Sequence, residues 1–181
     1  MKVSELSILG PMVIETDKFY DDRGFFRELY RSDVYNNIIP AHTWVQTNHS
    51  KSRMNVLRGL HFQFGEAKLV SVISGSILDV VVDLRLKSPT VGEYAAVLLN
   101  PDRQMYVPPG FAHGFLSKSD EAHVVYQTSK NWNPDLAKGI MWNDPDLKID
   151  WGINEPIISD KDKKNMSFKE YVHSRYLPED I

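Results

Sequence analysis

Along the middle of the chain, apolar residues come in short runs broken by turn-forming residues. Leu69-Val70-Ser71-Val72-Ile73-Ser74 leads into Gly75-Ser76 and then Ile77-Leu78-Asp79-Val80-Val81-Val82-Asp83-Leu84. Two runs rich in β-branched residues, divided by a Gly-containing pair, predict a hairpin. Further apolar runs follow at Tyr94–Leu99, Gln104–Val107 and His123–Thr128, with Ser88-Pro89-Thr90, Asn100-Pro101-Asp102 and Pro108-Pro109-Gly110 between them. Short strands at this spacing predict an all-β core, an antiparallel barrel or jelly roll. The ends are patterned differently. Arg31–Ile38 predicts a short helix after Ser32-Asp33, and Ser159-Asp160-Lys161-Asp162 ahead of Lys163–Tyr171 predicts a capped C-terminal helix. There is no repeat, Gly/Ser linker or shift in composition, so one domain spanning 1–181 is expected.

Composition narrows the function classes. Hydrophobic residues make up 42% and charged residues 25%, the balance of a globular protein. A net charge of −3 gives no reason to expect nucleic acid or an acidic membrane as the main partner. A local Arg/Lys cluster can still bind phosphate on such a protein. The chain has no cysteine, which excludes a disulfide scaffold, a Cys nucleophile and a thiolate metal site, and fits a reducing cytoplasm. Neither a signal-peptide-like apolar stretch nor a bilayer-length run is present, so the expected location is cytoplasmic.

Two segments carry candidate chemistry: Arg58-Gly59-Leu60-His61-Phe62-Gln63 with Lys68 and Gly75 beyond it, and Pro108-Pro109-Gly110-Phe111-Ala112-His113-Gly114-Phe115. Their spacing resembles the two motifs of the cupin superfamily, which hold a divalent metal inside an antiparallel β-barrel (jelly roll) through His-x-His, a Glu and a later His. On that pattern His61 and His113 keep the first and last ligand positions, while Gln63 replaces the second His and Lys68 replaces the Glu. A carboxylate there would help neutralise a metal, whereas a protonated amine repels it and has no lone pair to give. The expectation is therefore no metal. A cation beside a His in a shaped pocket suits a different reaction, removal of a proton from carbon next to a carbonyl. The His takes the proton and the ammonium stabilises the charge that develops on oxygen.

At these residues the chain resembles the dTDP-4-dehydrorhamnose 3,5-epimerase family, from about Ser7 to Asp162. The likeness is carried by Asp22-Arg23-Gly24-Phe25-Phe26-Arg27-Glu28, Gln46-Thr47-Asn48, Leu57–Gln63, Lys68-Leu69-Val70, Asp79–Arg85 with Ser88-Pro89-Thr90, Pro109–Phe115, Trp142-Asn143-Asp144-Pro145 and Ser159–Asp162. The resemblance implies a cupin-type barrel with short flanking helices and an isomerase that needs no metal or organic cofactor. It implies His61 as general base, Asp162 as the carboxylate orienting it, Tyr126 as the acid returning a proton from the opposite face, and Lys68 at the enolate oxygen. It also implies that Arg23, Glu28, Gln46, Asn48, Arg58, His113 and Lys161 bind the nucleotide sugar, with Arg23 and Glu28 reaching into the partner of a homodimer. Each role has a plainer competitor. Asp162 could complete a capping box with Ser159, Tyr126 could be a core aromatic, and Arg23 with Glu28 could be a surface ion pair. His42, His49, His123 and His173 match no family function.

The likeness lapses after Tyr126. The family continues with an aromatic pair, Pro and a later Glu, whereas this chain reads Asn131-Trp132-Asn133-Pro134-Asp135-Leu136-Ala137. The loop between Phe62 and Lys68 is also short. A retained catalytic set with an altered base-side segment points to the same reaction on another activated sugar; the resemblance extends to relatives that act on GDP-linked 4-keto-heptoses, which implies such a sugar of capsule or other surface polysaccharide synthesis as the expected substrate. The alternative is an ordinary dTDP-sugar epimerase, and inversion at C3, C5 or both stays open. A 4-keto-sugar ketoisomerase and a non-catalytic nucleotide-sugar-binding protein are disfavoured by the complete His61, Tyr126 and Asp162 set.

Overall fold

The computed structural model describes residues 1–174; positions 175–181 of the expected domain lie outside the described residues. Strands form in chain order at Lys2–Glu5 (β1), Met12–Glu15 (β2), Phe19–Asp21 (β3), Gly24–Phe26 (β4), Gln46–Arg53 (β5), Leu57–Phe62 (β6) and Lys68–Ser74 (β7). They continue at Ile77–Asp83 (β8), Tyr94–Leu99 (β9), Arg103–Val107 (β10), Phe111–Ser117 (β11), Glu121–Thr128 (β12) and Lys138–Gly139 (β13). Short helices occupy Ser32–Tyr35 (α1) and Phe168–His173 (α2). A six-stranded sheet in the order β1-β2-β10-β7-β12-β5 faces a five-stranded sheet in the order β13-β6-β11-β8-β9, and β3 and β4 form a hairpin apart. The strand pairings are antiparallel, the jelly-roll arrangement expected.

Alternation along the strands decides what lies between the sheets. In β7, Val70 and Val72 enter a core with Val81, Met105, Phe111, Phe115 and Val124, while Leu69 turns outward to pack with Tyr35, Ile39 and Tyr106. In β8, Val81 faces that core and Val80 and Val82 pack behind the five-stranded sheet with Leu57, Leu116, Trp151 and Tyr171. Both faces of these central strands are covered, which is why they read as nearly unbroken apolar runs. The same inward rows become polar toward one end of the barrel, where Lys68 precedes Val70 on β7 and Tyr126 and Thr128 follow Val124 on β12. A polar cavity therefore continues the apolar core.

The predicted Gly75-Ser76 hairpin does not form. β7 pairs with β10 and β12, and β8 with β9 and β11, so the turn carries the chain from one sheet to the other. Turn chemistry alone does not say whether the strands it joins pair with each other. Gly75 has φ +78°, and a Cβ there would stand 2.2 Å from the Glu121 carbonyl oxygen. Two further expectations are corrected. The first helix is only Ser32–Tyr35, with Arg31 at its N-cap and no side-chain cap. The C-terminal helix is broken into a 3₁₀ turn at Asp162–Lys164 and the separate α2, whose capping box joins Ser167 and Glu170. Between them Met166 bonds through its backbone to Gly139 and Met141, a tertiary pairing that outweighs local helix propensity.

Candidate active site

A cavity of about 600 Å³ opens between the sheets, lined by polar side chains from facing walls. His61 stands on β6 of the five-stranded sheet, whereas Tyr126 and Lys68 stand on β12 and β7 of the six-stranded sheet. The His61 and His113 residues are register partners across β6 and β11. Their strands approach closely because position 59 is glycine, with φ +136°; a Cβ there would stand 2.6 Å from the Gly114 Cα.

The 3₁₀ turn brings Asp162 to β6 from far along the chain. One carboxylate oxygen lies 2.6 Å from Nε2 of His61, and the other accepts the Gly59 N–H at 3.3 Å. The Ser159 hydroxyl accepts the Asp162 N–H, so the local cap and the contact with His61 coexist. Burial would raise the Asp162 carboxyl, but the bonds from His61 and Gly59 prevail and hold it below the ordinary carboxylate range. A carboxylate fixed on Nε2 sets the tautomer and leaves Nδ1 as the basic nitrogen.

Lys68 is 8% exposed and donates to the His61 carbonyl oxygen at 3.2 Å, with the Glu66 carboxylate 3.3 Å away. Burial pushes its ammonium below the usual lysine range, opposed by Glu66 and Asp79. Burial raises the Tyr126 phenol, Glu66 adds to this and Arg58 opposes it, which favours the protonated hydroxyl. Arg58 lines the same cavity, held by Ser52 Oγ at 2.9 Å and the Lys51 carbonyl at 3.1 Å. His113 is fixed by Asp79, fully buried, with both carboxylate oxygens 3.0 Å from Nε2.

Three comparisons bear on this constellation. The dTDP-4-dehydrorhamnose 3,5-epimerase family matches residues 5–170. The chain belongs to that family. The dTDP-4-dehydrorhamnose 3,5-epimerase of Pseudomonas aeruginosa is 42% identical over 177 residues, covering 94% of this chain and 97% of the relative. A dTDP-6-deoxy-D-glucose-3,5-epimerase of Legionella pneumophila, solved in complex with dTDP-4-keto-L-rhamnose, superposes with a TM-score of 0.89 at 37% identity, covering 93% of each chain. A 3'-monoepimerase of Streptomyces bikiniensis, solved in complex with dTDP-quinovose, gives a TM-score of 0.85 at 32% identity, covering 91% of this chain and 86% of that one.

Within this epimerase-family fold, His61, Tyr126, Asp162, Lys68, Gln46, Asn48, Arg58, His113 and Lys161 line one cavity. Arg23 and Glu28 do not. Arg23 pairs with Asp21 and Glu28 with Arg31, so neither joins the pocket of its own subunit, and they do not pair with each other. Gln63, at a cupin ligand position, is otherwise engaged: its amide donates to the Asn131 carbonyl and accepts the Asn133 N–H. Among the described residues no group of three or more His, Asp or Glu side chains is placed to hold a metal ion. The altered base-side segment does border the cavity through Trp132 and Ala137, and Gln46 accepts the Trp132 N–H at 2.9 Å. Among the histidines without a family role, His49 and His123 contact each other on the outer face, and His42 contacts the Tyr106 hydroxyl.

Sequence reasoning missed Asp79 and Glu66. Asp79 carried a signal, a carboxylate at an inward position of an apolar strand, which needs a partner when buried. Glu66 carried none, because it lies in the short loop before β7.

Proposed function

We propose that this chain is an epimerase of a nucleotide-activated 4-keto sugar, inverting C3, C5 or both without a metal. The observation that supports this best is the placement of His61 and Tyr126 on opposite walls of one cavity, with Lys68 between proton removal and proton return. Inversion requires a base on one face of the carbon and an acid on the other. Nδ1 of His61, left without the Nε2 contact that Asp162 holds, removes the proton next to the ketone. The Lys68 ammonium stabilises the resulting enolate oxygen. Tyr126 then delivers a proton from the other face. Arg58, Lys161 and His113, with Gln46 and Asn48 from the inward row of β5, bind the nucleotide sugar.

The proposal includes a homodimer. The β3–β4 hairpin exposes four aromatic side chains together, Phe19, Tyr20, Phe25 and Phe26, the kind of contiguous apolar patch that marks an interaction surface, and Arg23 and Glu28 lie on or beside it. Docked on a second copy, they would complete the partner's nucleotide site; light scattering reads the stoichiometry. The favoured substrate is a GDP-linked 4-keto-heptose of capsule or other surface polysaccharide synthesis in the cytoplasm, supported by Asn131 and Ala137 in the segment bordering the cavity. The second reading is the dTDP-4-keto-6-deoxy sugar of the relatives. Incubation with GDP- and dTDP-linked 4-keto sugars in D₂O, followed by NMR, tests both: deuterium enters C3, C5 or both of the true substrate. No exchange with any 4-keto sugar would overturn the reading.

A further inference from the structure

Lys68 has three N–H donors. The structure directs one to the His61 carbonyl oxygen and places the Glu66 carboxylate 3.3 Å away for a second. The remaining donor is the one available to a substrate oxygen in the cavity. Glu66 is itself held in place. Its N–H bonds to the Gln63 carbonyl, and the next residue, Ala67, exchanges bonds with Ser129 through its N–H to the hydroxyl and its carbonyl to the backbone N–H. The Glu66 and Lys68 side chains are 9% and 10% exposed, so water does little to screen the pair.

We propose that Glu66 is a positioning residue for Lys68: its carboxylate keeps the ammonium protonated in the cavity and turns the third N–H toward the enolate oxygen. The surroundings otherwise work against a buried cation. Burial lowers the Lys68 ammonium, and the charges that oppose this are Glu66 and, secondarily, Asp79. Asp79 is spread across both oxygens onto His113, and Asp162 is engaged by His61 and Gly59. The other titratable groups lining the cavity are Arg58 on β6, Tyr126 on β12, Lys138 and Lys161, none of which adds negative charge to hold the proton on Lys68. Glu66 is thus the carboxylate in direct contact with it.

The proposal rests on the epimerase reading for its catalytic meaning, but its physical content can be measured without substrate. In protein carrying [ε-¹³C]lysine, the NMR resonance of Lys68, assigned by its loss in Lys68→Arg, reports protonation directly. In Glu66→Gln, which keeps size and shape, the Lys68 titration midpoint is expected to fall by about one pH unit, the scale of removing a contacting opposite charge. Glu66→Asp is expected to fall between this variant and the native protein. The alkaline limb of deuterium exchange into substrate should move down in step. A midpoint unchanged in folded Glu66→Gln, or a midpoint that moves while the alkaline limb stays, would overturn the proposal. Absence of exchange in the native enzyme would instead sink the epimerase reading and leave the titration as the deciding result.

Discussion

In the proposed mechanism His61 and Tyr126 divide the work of inversion, and single substitutions test that division. His61→Asn removes the base while keeping a planar polar group. Deuterium exchange should disappear at every carbon, with nucleotide-sugar binding within about tenfold of native, because proton transfer and uniform binding are separate contributions. Substantial exchange in this variant would mean the base lies elsewhere. On the proposed roles, Tyr126→Phe should leave abstraction intact and break delivery. His61 can then return a solvent proton to the face it came from, so deuterium should enter substrate of retained configuration while inversion drops about 100-fold or more. NMR and product configuration, measured on one sample, separate the cases. Normal inversion would make Tyr126 a packing residue, and loss of both signals in a folded, binding-competent variant would place it at abstraction. His61, Lys68 and His113 were legible from motif spacing. Glu66 was not, because a carboxylate in a loop looks solvated until burial beside an amine is seen.

Strands were read well where the chain carries a run of apolar residues between turn signals. Tyr94–Leu99 is β9 as predicted, and β7, β8, β10 and β12 lie within about two residues of their apolar runs. β5 escaped notice because it is polar on both sides, with Gln46, Asn48 and Ser50 toward the cavity and Thr47, His49 and Lys51 outward. A strand that lines a binding site lacks the apolar alternation that marks one lining a core. The sheet-to-sheet turn at Gly75 gives a stability test at this scale. Gly75→Ala combines a positive φ with a Cβ clashing with backbone at 2.2 Å, so the start of β12 must shift. The expected cost is about 2 kcal/mol, a fall in Tm of roughly 6 °C for a domain of this size. An unchanged thermal melt would show that the turn relaxes freely and that its glycine is dispensable.

At the scale of the whole molecule, the barrel brings together residues separated by more than a hundred positions. The His61 and Asp162 contact spans 101 residues, and the His113 and Asp79 contact spans 34 across paired strands. Metal chemistry is tested here as well. With Gln63 engaged by the 131–133 loop and Lys68 at the former carboxylate position, purified enzyme should contain no stoichiometric transition metal. Chelator should leave the exchange rate unchanged. Activity that vanishes with chelator and returns with Zn²⁺, Mn²⁺ or Fe²⁺ would reject the Lys68 mechanism.

The sequence alone determined the class of fold, because a two-layer β core imposes a periodic apolar pattern and turn residues at close intervals. It also determined which side chains were available, since an ammonium at a carboxylate position changes the chemistry whatever the surrounding shape. Which strands pair was decided only in three dimensions: the Gly75-Ser76 turn has the same local chemistry whether it closes a hairpin or crosses between sheets. The end of the C-terminal helix pattern was decided there too, where pairing of Met166 with Gly139 and Met141 overrode a local preference worth only tenths of a kcal/mol per residue. Burial made the last decision. Glu66 and Lys68 are an unremarkable pair in the sequence, and only exclusion of water turns their contact into a force on a proton.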